Sequence, residues 1–77
     1  MSLDEAESAK KIKIKDIQSG IELKRKLNTI GIRVDDFVIK LNNNNWGPVL
    51  VQNISNGSSK LALGRDLAGK IIVEYGD

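Results

Sequence analysis

The sequence predicts a small α+β domain, mainly β, in which five short strands form a barrel and one α-helix follows the first strand. Three observations lead to this prediction: short segments of alternating apolar and polar residues, one segment with helical spacing of apolar residues, and turn-forming residues between the segments. At 77 residues, a single domain over residues 1–77 is expected, because a chain of this length rarely encloses two cores.

Residues 1–9 are expected to form an N-terminal helical turn or a frayed end. Ser2 and Glu5 have the spacing of a capping box, in which a hydroxyl and a carboxylate satisfy two backbone amides at a helix start. This spacing predicts a turn over residues 3–8, although the terminal residues of a domain often fray.

The first strand is predicted over residues 11–15, where lysine and isoleucine alternate strictly. Ile12 and Ile14 are expected to face the core, whereas Lys13 and Lys15 face water. Lysine on an exposed strand also opposes pairing with a strand of another chain.

A helix is predicted after the first strand. Residues 19–22 repeat the capping-box spacing and mark its start. Leu23, Leu27 and Ile30 then form one apolar stripe, which is expected to face the core. Gly31 stands where a left-handed residue commonly closes a helix.

The second strand is predicted over residues 37–41, which contain an apolar set that alternates with Val38 and Lys40. The apolar set is Phe37, Ile39 and Leu41. Four asparagines at residues 42–45 end the strand, because asparagine tolerates left-handed backbone and bonds to its own main chain.

Three further strands follow in close succession. They are predicted over residues 49–51, 61–63 and 71–75. The dipeptide Asn56–Gly57 is a strong hairpin signal between the first two of these strands. Residues 64–69 are expected to form a short helical turn before the last strand.

Residues 64–70 match the first seven positions of a phosphate-binding loop. That motif needs Ser or Thr next, to bind magnesium, and a helix whose N-terminus faces the phosphates. Ile71 follows instead and begins an apolar strand. The match is therefore interpreted as a coincidence of turn residues.

The residue types present argue against catalysis. The chain has no histidine and no cysteine, so it offers no Ser-His triad, no thiolate nucleophile and no Cys/His zinc site. Asp35 and Asp36 are adjacent on an extended segment and point in opposite directions, so they form no carboxylate pair. The sequence predicts no enzyme, no catalytic residue, no bound cofactor and no metal site.

Positive charge is concentrated in residues 10–26, which hold seven Lys or Arg and two Asp or Glu. Seven minus two gives this segment a charge of +5, against +2 for the whole chain. Such an asymmetry either steers an acidic partner or is simply a solvated face.

Binding of nucleic acid by a small basic barrel is an alternative interpretation of these charges. Proteins that bind single strands place aromatic stacking platforms beside a cationic groove. The chain has one Phe, one Trp and one Tyr, of which only Trp46 is expected to be exposed enough to stack. This scarcity argues against nucleic acid as the partner.

The expected location is the cytoplasm, without insertion into a membrane. No apolar stretch reaches the roughly 20 residues that cross a bilayer. The acidic N-terminus also differs from the basic and then apolar arrangement of a signal peptide.

Four segments, in chain order, resemble the FeoA domain of ferrous iron transport protein A. They are the opening turn at residues 2–6, the basic helix and its exit at residues 23–32, Gly47–Val49, and the apolar positions of residues 61–73. Two positions depart from the family, which has Pro-Gly where this chain has Ser8–Ala9 and Val34–Asp35. Aspartate is one of the few residues that replace glycine in a left-handed turn.

The resemblance implies an SH3-like barrel that acts as a non-catalytic accessory protein of ferrous iron uptake. Its implied partner is the cytosolic region of the membrane transporter FeoB, with Fe²⁺ entering only as the cargo of that pathway. The residues expected to contact the partner are Lys13, Lys15, Lys24, Arg25, Lys26 and Trp46. A standalone relative of the SH3-like domain of metal-dependent repressors is a further alternative.

Overall fold

One α-helix and one short helical segment interrupt a five-stranded sheet, in the order that the sequence predicts. The computed structural model describes residues 1–18, 20–42, 46–55, 57 and 60–76. The elements are a 3₁₀ turn (Leu3–Glu5), β1 (Lys11–Ile17), α1 (Ile21–Thr29), β2 (Phe37–Lys40), β3 (Val49–Asn53), β4 (Leu61–Leu63), α2 (Arg65–Ala68) and β5 (Ile71–Tyr75).

All strand pairings are antiparallel, and the spatial order of the strands is β4-β3-β2-β1-β5. β1 therefore lies between β2 and β5. The two edge strands are β4 and β5, and α2 links them in the sequence. The predicted α+β, mainly β fold with five strands is confirmed. Its sheet is barrel-like rather than closed, because no ladder among the described residues joins β4 to β5.

The N-terminal segment lies against the free edge of β5. The Val73 amide donates to the Met1 carbonyl at 2.8 Å, and Ser2 forms an antiparallel bridge with Ile72. Leu3 is fully buried in the core. An edge strand presents unpaired backbone groups, and the chain covers this one with its own N-terminus.

The predicted capping box is present at the start of this segment. The Ser2 amide donates to Oε1 of Glu5 at 3.0 Å, and the Ser2 hydroxyl donates to the same oxygen at 2.8 Å. The turn that it opens is a 3₁₀ turn over Leu3–Glu5, shorter than the predicted residues 3–8.

A bulge in β1 changes which side chains face the core. The register with β5 pairs Ile14 with Val73 and then Asp16 with Ile72, which leaves one extra residue on β1. An extra residue reverses the alternation of faces, and Ile17 is consequently buried whereas Asp16 is exposed. Before the bulge, both isoleucines that were predicted to face the core are buried.

α1 begins after Gly20, which is its N-cap residue with φ +89°. The serine of the predicted capping box, Ser19, lies outside the described residues. The helix ends in a Schellman motif: the Ile32 amide donates to the Leu27 carbonyl at 2.8 Å, and the Gly31 amide donates to the Asn28 carbonyl at 3.2 Å. Gly31 has φ +98°, which confirms the predicted left-handed closure.

The predicted apolar stripe of α1 is wrong at its last position. Ile30 is 44% exposed, whereas Ile32 is fully buried. The helix ends at Thr29, so Ile30 no longer follows the helical spacing. The left-handed turn at Gly31 then directs Ile32 into the core beside Leu27.

The core is aliphatic and draws on every strand. Its buried members are Leu3, Ala6, Ile12, Ile14, Ile17, Leu27, Ile32, Val38, Val49, Val51, Leu63, Ala68, Ile71 and Val73. Burial of such side chains contributes roughly 25 cal/mol per Å² of apolar surface and is the main favourable term in folding.

β2 and β3 each bury one polar side chain beside these apolar ones. Lys40 is 2% exposed and Asn53 is fully buried. On β2 the inward set is therefore Val38 and Lys40, while the more apolar set of the predicted alternation faces outward.

Both buried polar groups are hydrogen-bonded to the chain. Nζ of Lys40 donates to the carbonyls of Asp4 at 2.9 Å and Ala6 at 2.8 Å. Nδ2 of Asn53 donates to the Gly31 carbonyl at 2.7 Å and to Oδ2 of Asp36 at 2.8 Å. Such bonds offset the cost of taking polar groups out of water.

The turns between strands agree with the sequence where they are described. Asn42 closes the β2–β3 connection, since its side chain donates to the Pro48 carbonyl at 3.0 Å and accepts from the Leu50 amide at 3.1 Å. The rest of the predicted asparagine loop, residues 43–45, lies outside the described residues. So does Asn56 of the predicted hairpin signal, although β3 and β4 pair as a hairpin requires.

Two positions at which the chain departs from the FeoA pattern have left-handed backbone. Ala9 has φ +64° and Asp35 has φ +74°. Glycine adopts these angles without strain, whereas a side chain with a Cβ does not. At both positions the backbone is therefore left-handed although neither residue is glycine.

Residues 64–70, whose sequence matches the start of a phosphate-binding loop, have a different structure. Residues 65–68 form α2, as the prediction of a short helical turn requires, and β5 begins at Ile71. A strand therefore follows where a phosphate-binding motif needs a long helix.

Candidate protein-interaction surface

The basic residues of α1 lie on its solvent side. Leu27 is fully buried and Leu23 packs against the core. These two anchors fix the rotation of the helix, because residues four positions apart share a face. Arg25 and Lys26 are consequently exposed, and Lys24 is half-buried.

Three of the predicted contact lysines form ion pairs on the surface. Lys24 Nζ lies 3.7 Å from Oδ1 of Asp16. Lys15 Nζ lies 3.3 Å from Oε1 of Glu74 on β5. Exposed pairs of this kind contribute about 0–1 kcal/mol, so a partner carboxylate can replace either acid at little cost.

The third pair is longer and lies nearer the start of β1. Lys13 Nζ is 3.9 Å from Oδ1 of Asp35, in the turn before β2. The same ammonium lies 5.9 Å from the centre of the Phe37 ring. Lys13 and Lys15 are thus both on the outer side of the sheet, as the alternation predicts.

The carboxylate of Asp16 links the basic helix α1 to β1. Asp16 follows Lys15 directly and pairs with Lys24. The structure therefore brings the basic side of α1 next to the bulged end of β1. These residues form one basic surface, defined here as Lys13, Lys15, Lys24, Arg25 and Lys26.

Trp46 does not belong to this surface. It is 78% exposed and lies in the β2–β3 connection, at the opposite strand ends from α1. Its carbonyl accepts a bond of 3.5 Å from Nη2 of Arg65 on α2. The predicted exposure of Trp46 is confirmed, but the structure does not place it beside the basic helix.

Lys11 is a basic residue that sequence reasoning did not select. It is exposed, and its Nζ lies 4.3 Å from the centre of the Phe37 ring. Cation–π contacts of this length contribute about 0.5–1 kcal/mol at exposed sites. The signal was available, because the alternation that placed Lys13 and Lys15 outward places Lys11 on the same face.

Two carboxylates near the N-terminus have a shifted pKa. The Ser2 backbone amide, followed by the Ser2 hydroxyl, lowers the pKa of Glu5. The hydrogen bond from Lys10, whose Nζ lies 2.7 Å from Oε2 of Glu7, lowers the pKa of Glu7. Both acids are therefore held in the charged form by groups of the same segment.

Lys40 has a lowered pKa for a different reason. Burial disfavours its ammonium form most strongly, nearby Arg65 adds repulsion, and Asp4 opposes both effects. The Lys40 amine faces the backbone of the N-terminal turn, so its position indicates a structural role.

Within the described part of the chain, no cluster of three or more His, Cys, Asp or Glu side chains has the arrangement of a metal site. Among the same residues, no helix has the length and hydropathy needed to cross a bilayer.

Solved structures with the same fold include two proteins whose names refer to iron uptake or iron transport. The chain superposes on a crystal structure of the iron uptake regulatory protein FeoA with a TM-score of 0.78 and 23% identity, over 95% of this chain and 92% of that one. The solution structure of iron(II) transport protein A from Clostridium thermocellum gives a TM-score of 0.82 and 20% identity, over 97% of this chain and 45% of that one.

A third structural neighbour is the manganese regulator SloR, with a TM-score of 0.78 and 14% identity. The alignment covers 97% of this chain and 34% of that protein, so the whole of this chain corresponds to about a third of the regulator. At these identities the three likenesses establish the SH3-like fold. The comparison with curated proteins gives no match.

The family assignment comes from the sequence rather than from these superpositions. The sequence model of the FeoA domain matches residues 1–75, which span every strand and helix from the 3₁₀ turn to β5. The chain belongs to the FeoA domain family.

Proposed function

We propose that this protein is a non-catalytic accessory protein of ferrous iron uptake that binds the cytosolic region of a FeoB-type membrane transporter. The observation that carries the proposal is the match of the FeoA domain over residues 1–75. The names of two proteins with the same fold, an iron uptake regulatory protein FeoA and an iron(II) transport protein A, support the link to ferrous iron transport. In this proposal Fe²⁺ is the cargo of the transporter, and the protein works from the cytoplasm.

The charges of α1 support binding of an acidic partner. In the described part of the chain, no carboxylate pairs with Arg25 or Lys26. Both side chains are exposed on a helix whose opposite face is fixed in the core. Like charges on one face raise the rate of encounter with a partner of opposite charge.

The chemistry of the side chains supports a binding role rather than a catalytic one. The chain contains no histidine or cysteine, which are the commonest general base and the strongest nucleophile of enzymes. Its buried lysine, Lys40, is occupied by two backbone carbonyls. The groups that reach solvent in the basic surface are ammonium and guanidinium groups suited to ion pairing.

A binding experiment with matched charge reversals tests the proposal. Arg25→Glu with Lys26→Glu is expected to weaken binding to the cytosolic region of FeoB at least about tenfold, because two attractive charges become repulsive. Calorimetry or chemical-shift titration measures the change. Lys10→Glu with Lys60→Glu alters the net charge equally at two exposed positions outside the basic surface and is expected to have little effect.

The outcome also separates the alternatives. Equal loss in both double variants indicates a non-specific dependence on net charge and contradicts the assignment to α1. No binding of the wild-type protein refutes the proposal itself. Binding to single-stranded DNA with a steep dependence on salt, in place of binding to FeoB, favours the nucleic-acid alternative.

A further inference from the structure

β2 and β3 carry several large apolar side chains on the outer face of the sheet, and each buries one polar side chain on the inner face. On the outer face, β2, β3 and the residue after each present a row of large apolar side chains. This outer stripe is defined as Phe37, Ile39, Leu41, Leu50 and Ile54. On the inner face, the same two strands bury Lys40 and Asn53.

The members of the outer stripe are neighbours in the sheet. The Leu41 amide donates to the Leu50 carbonyl at 2.7 Å, which places these two side chains opposite each other. The Ile54 amide donates to the Phe37 carbonyl at 2.9 Å in the same way. Ile39 lies between the two pairs on β2, so the apolar surface is continuous along β2, whereas on β3 the polar side chain of Gln52 lies opposite Ile39.

The stripe is long enough to receive a segment of another protein. Alternate residues of a strand are spaced about 7 Å apart, which gives about 14 Å from Phe37 to Leu41. Leu41 and Leu50 are each 38% exposed. Contiguous exposed apolar surface of this kind marks interaction sites in proteins that are otherwise well packed.

The border of the stripe is positive. Lys11 lies beside Ile39 and Lys13 lies beside Phe37 in the β1–β2 register. Both ammonium groups lie over the edge of the stripe, 4.3 Å and 5.9 Å from the centre of the Phe37 ring. β2, β3 and β4 contain no Asp or Glu. Asp35 lies 3.9 Å from Lys13 in an exposed pair that a partner carboxylate can replace, whereas among the described residues no carboxylate pairs with Lys11.

We infer that the outer stripe is a docking surface for an acidic, amphipathic segment of a partner protein. Apolar side chains of the segment pack on the stripe, and its carboxylates pair with Lys11 and Lys13. A second copy of this chain fits less well, because stripe-to-stripe contact brings the same lysines together without adding a carboxylate from β2–β4. The identity of the partner rests on the proposed function, whereas its chemistry rests on the stripe.

A short synthetic peptide that alternates leucine with glutamate serves as the probe. Titrated into the isotope-labelled protein, it is expected to shift the backbone amides of residues 37–41 and 50–54. A peptide that alternates leucine with lysine is expected not to bind, because it repels Lys11 and Lys13. A peptide that alternates serine with glutamate is expected not to bind either, because it lacks apolar side chains.

Two double variants separate the apolar and the charged parts of the surface. Leu41→Ser with Leu50→Ser is expected to weaken binding of the leucine–glutamate peptide about tenfold. Lys11→Gln with Lys13→Gln is also expected to weaken binding of this peptide. The difference in affinity from wild type is expected to grow as the salt concentration falls, because charges are then screened less. Ile21→Ser changes an apolar residue that is 70% exposed on α1 and is expected to leave binding unchanged.

The outcomes distinguish this inference from the proposed function. Shifts on the stripe with the acidic peptide support it. Binding of FeoB that shifts α1 without the stripe overturns it and leaves the proposed function standing. Stripe shifts with the peptide, together with no binding of FeoB, refute only the proposed function. Failure of the acidic peptide to bind, equal binding of the basic peptide, or binding of anionic vesicles alone overturns the inference.

Discussion

At the scale of single residues, Ala9 is held in a conformation that its side chain disfavours. Its φ of +64° lies in the left-handed region, which costs a residue with a Cβ roughly 1–2 kcal/mol. Glycine avoids that cost but loses about 0.5–1 kcal/mol through its greater freedom when unfolded. We therefore expect Ala9→Gly to raise the free energy of unfolding by about 0.5–1 kcal/mol, measured by urea denaturation at unchanged slope.

The control for this prediction is a second alanine with ordinary backbone. Ala62 is exposed on β4, where glycine brings only its entropic cost. Ala62→Gly is expected to lower the free energy of unfolding by about 0.5–1 kcal/mol. If both variants are destabilised alike, the backbone of Ala9 is not strained and the argument fails.

At the scale of elements, Lys40 joins β2 to the N-terminal turn. Its amine donates to the carbonyls of Asp4 and Ala6. We expect Lys40→Met to destabilise the protein by about 1–3 kcal/mol, because two buried acceptors lose their donor. Hydrogen exchange is expected to show the loss at the Ala6 and Val73 amides, which bond within and beside the N-terminal segment.

The matched change is Lys60→Met, which removes the same charge from an exposed position. It is expected to alter stability by less than about 0.5 kcal/mol. Faster exchange spread evenly over all strands in Lys40→Met, rather than concentrated at the N-terminal segment and β5, contradicts the role of Lys40 as a local anchor.

The strands and the helix could be predicted because their patterns depend on nearby residues. Alternation located β1, and the glycine of the Schellman motif located the end of α1. Alternation does not say which face of a strand is buried when one face carries Lys40 and the other Ile39. That choice depends on the backbone carbonyls that Lys40 meets from the N-terminal turn, which are distant in sequence.

The candidate site was predictable to the same extent. Exposure of Arg25 and Lys26 follows from the helical stripe and agrees with the structure. The separation of Trp46 from α1 depends on strand order, which no local pattern records. The bulge in β1, which brings Asp16 to Lys24, shows in the sequence only as a change in isoleucine spacing, from two residues to three between Ile14 and Ile17.

At the scale of the whole molecule, the N-terminal segment covers one edge of the sheet, so its charges affect global stability. Glu5 and Glu7 have pKa values below their ordinary value of 4.5. In the unfolded chain these acids bind protons more readily, so their stabilising contribution is complete above pH 4.5 and disappears as the pH falls through the lowered values.

The free energy of unfolding is therefore expected to fall as the pH decreases below about 4.5. Glu5→Gln with Glu7→Gln is expected to flatten this dependence, because amides do not titrate. Urea denaturation of wild type and variant at several pH values measures both slopes. Equal slopes would show that neither the Ser2–Glu5 capping box nor the Glu7–Lys10 pair contributes to folding. The N-terminal segment would then cover β5 without stabilising it through these carboxylates.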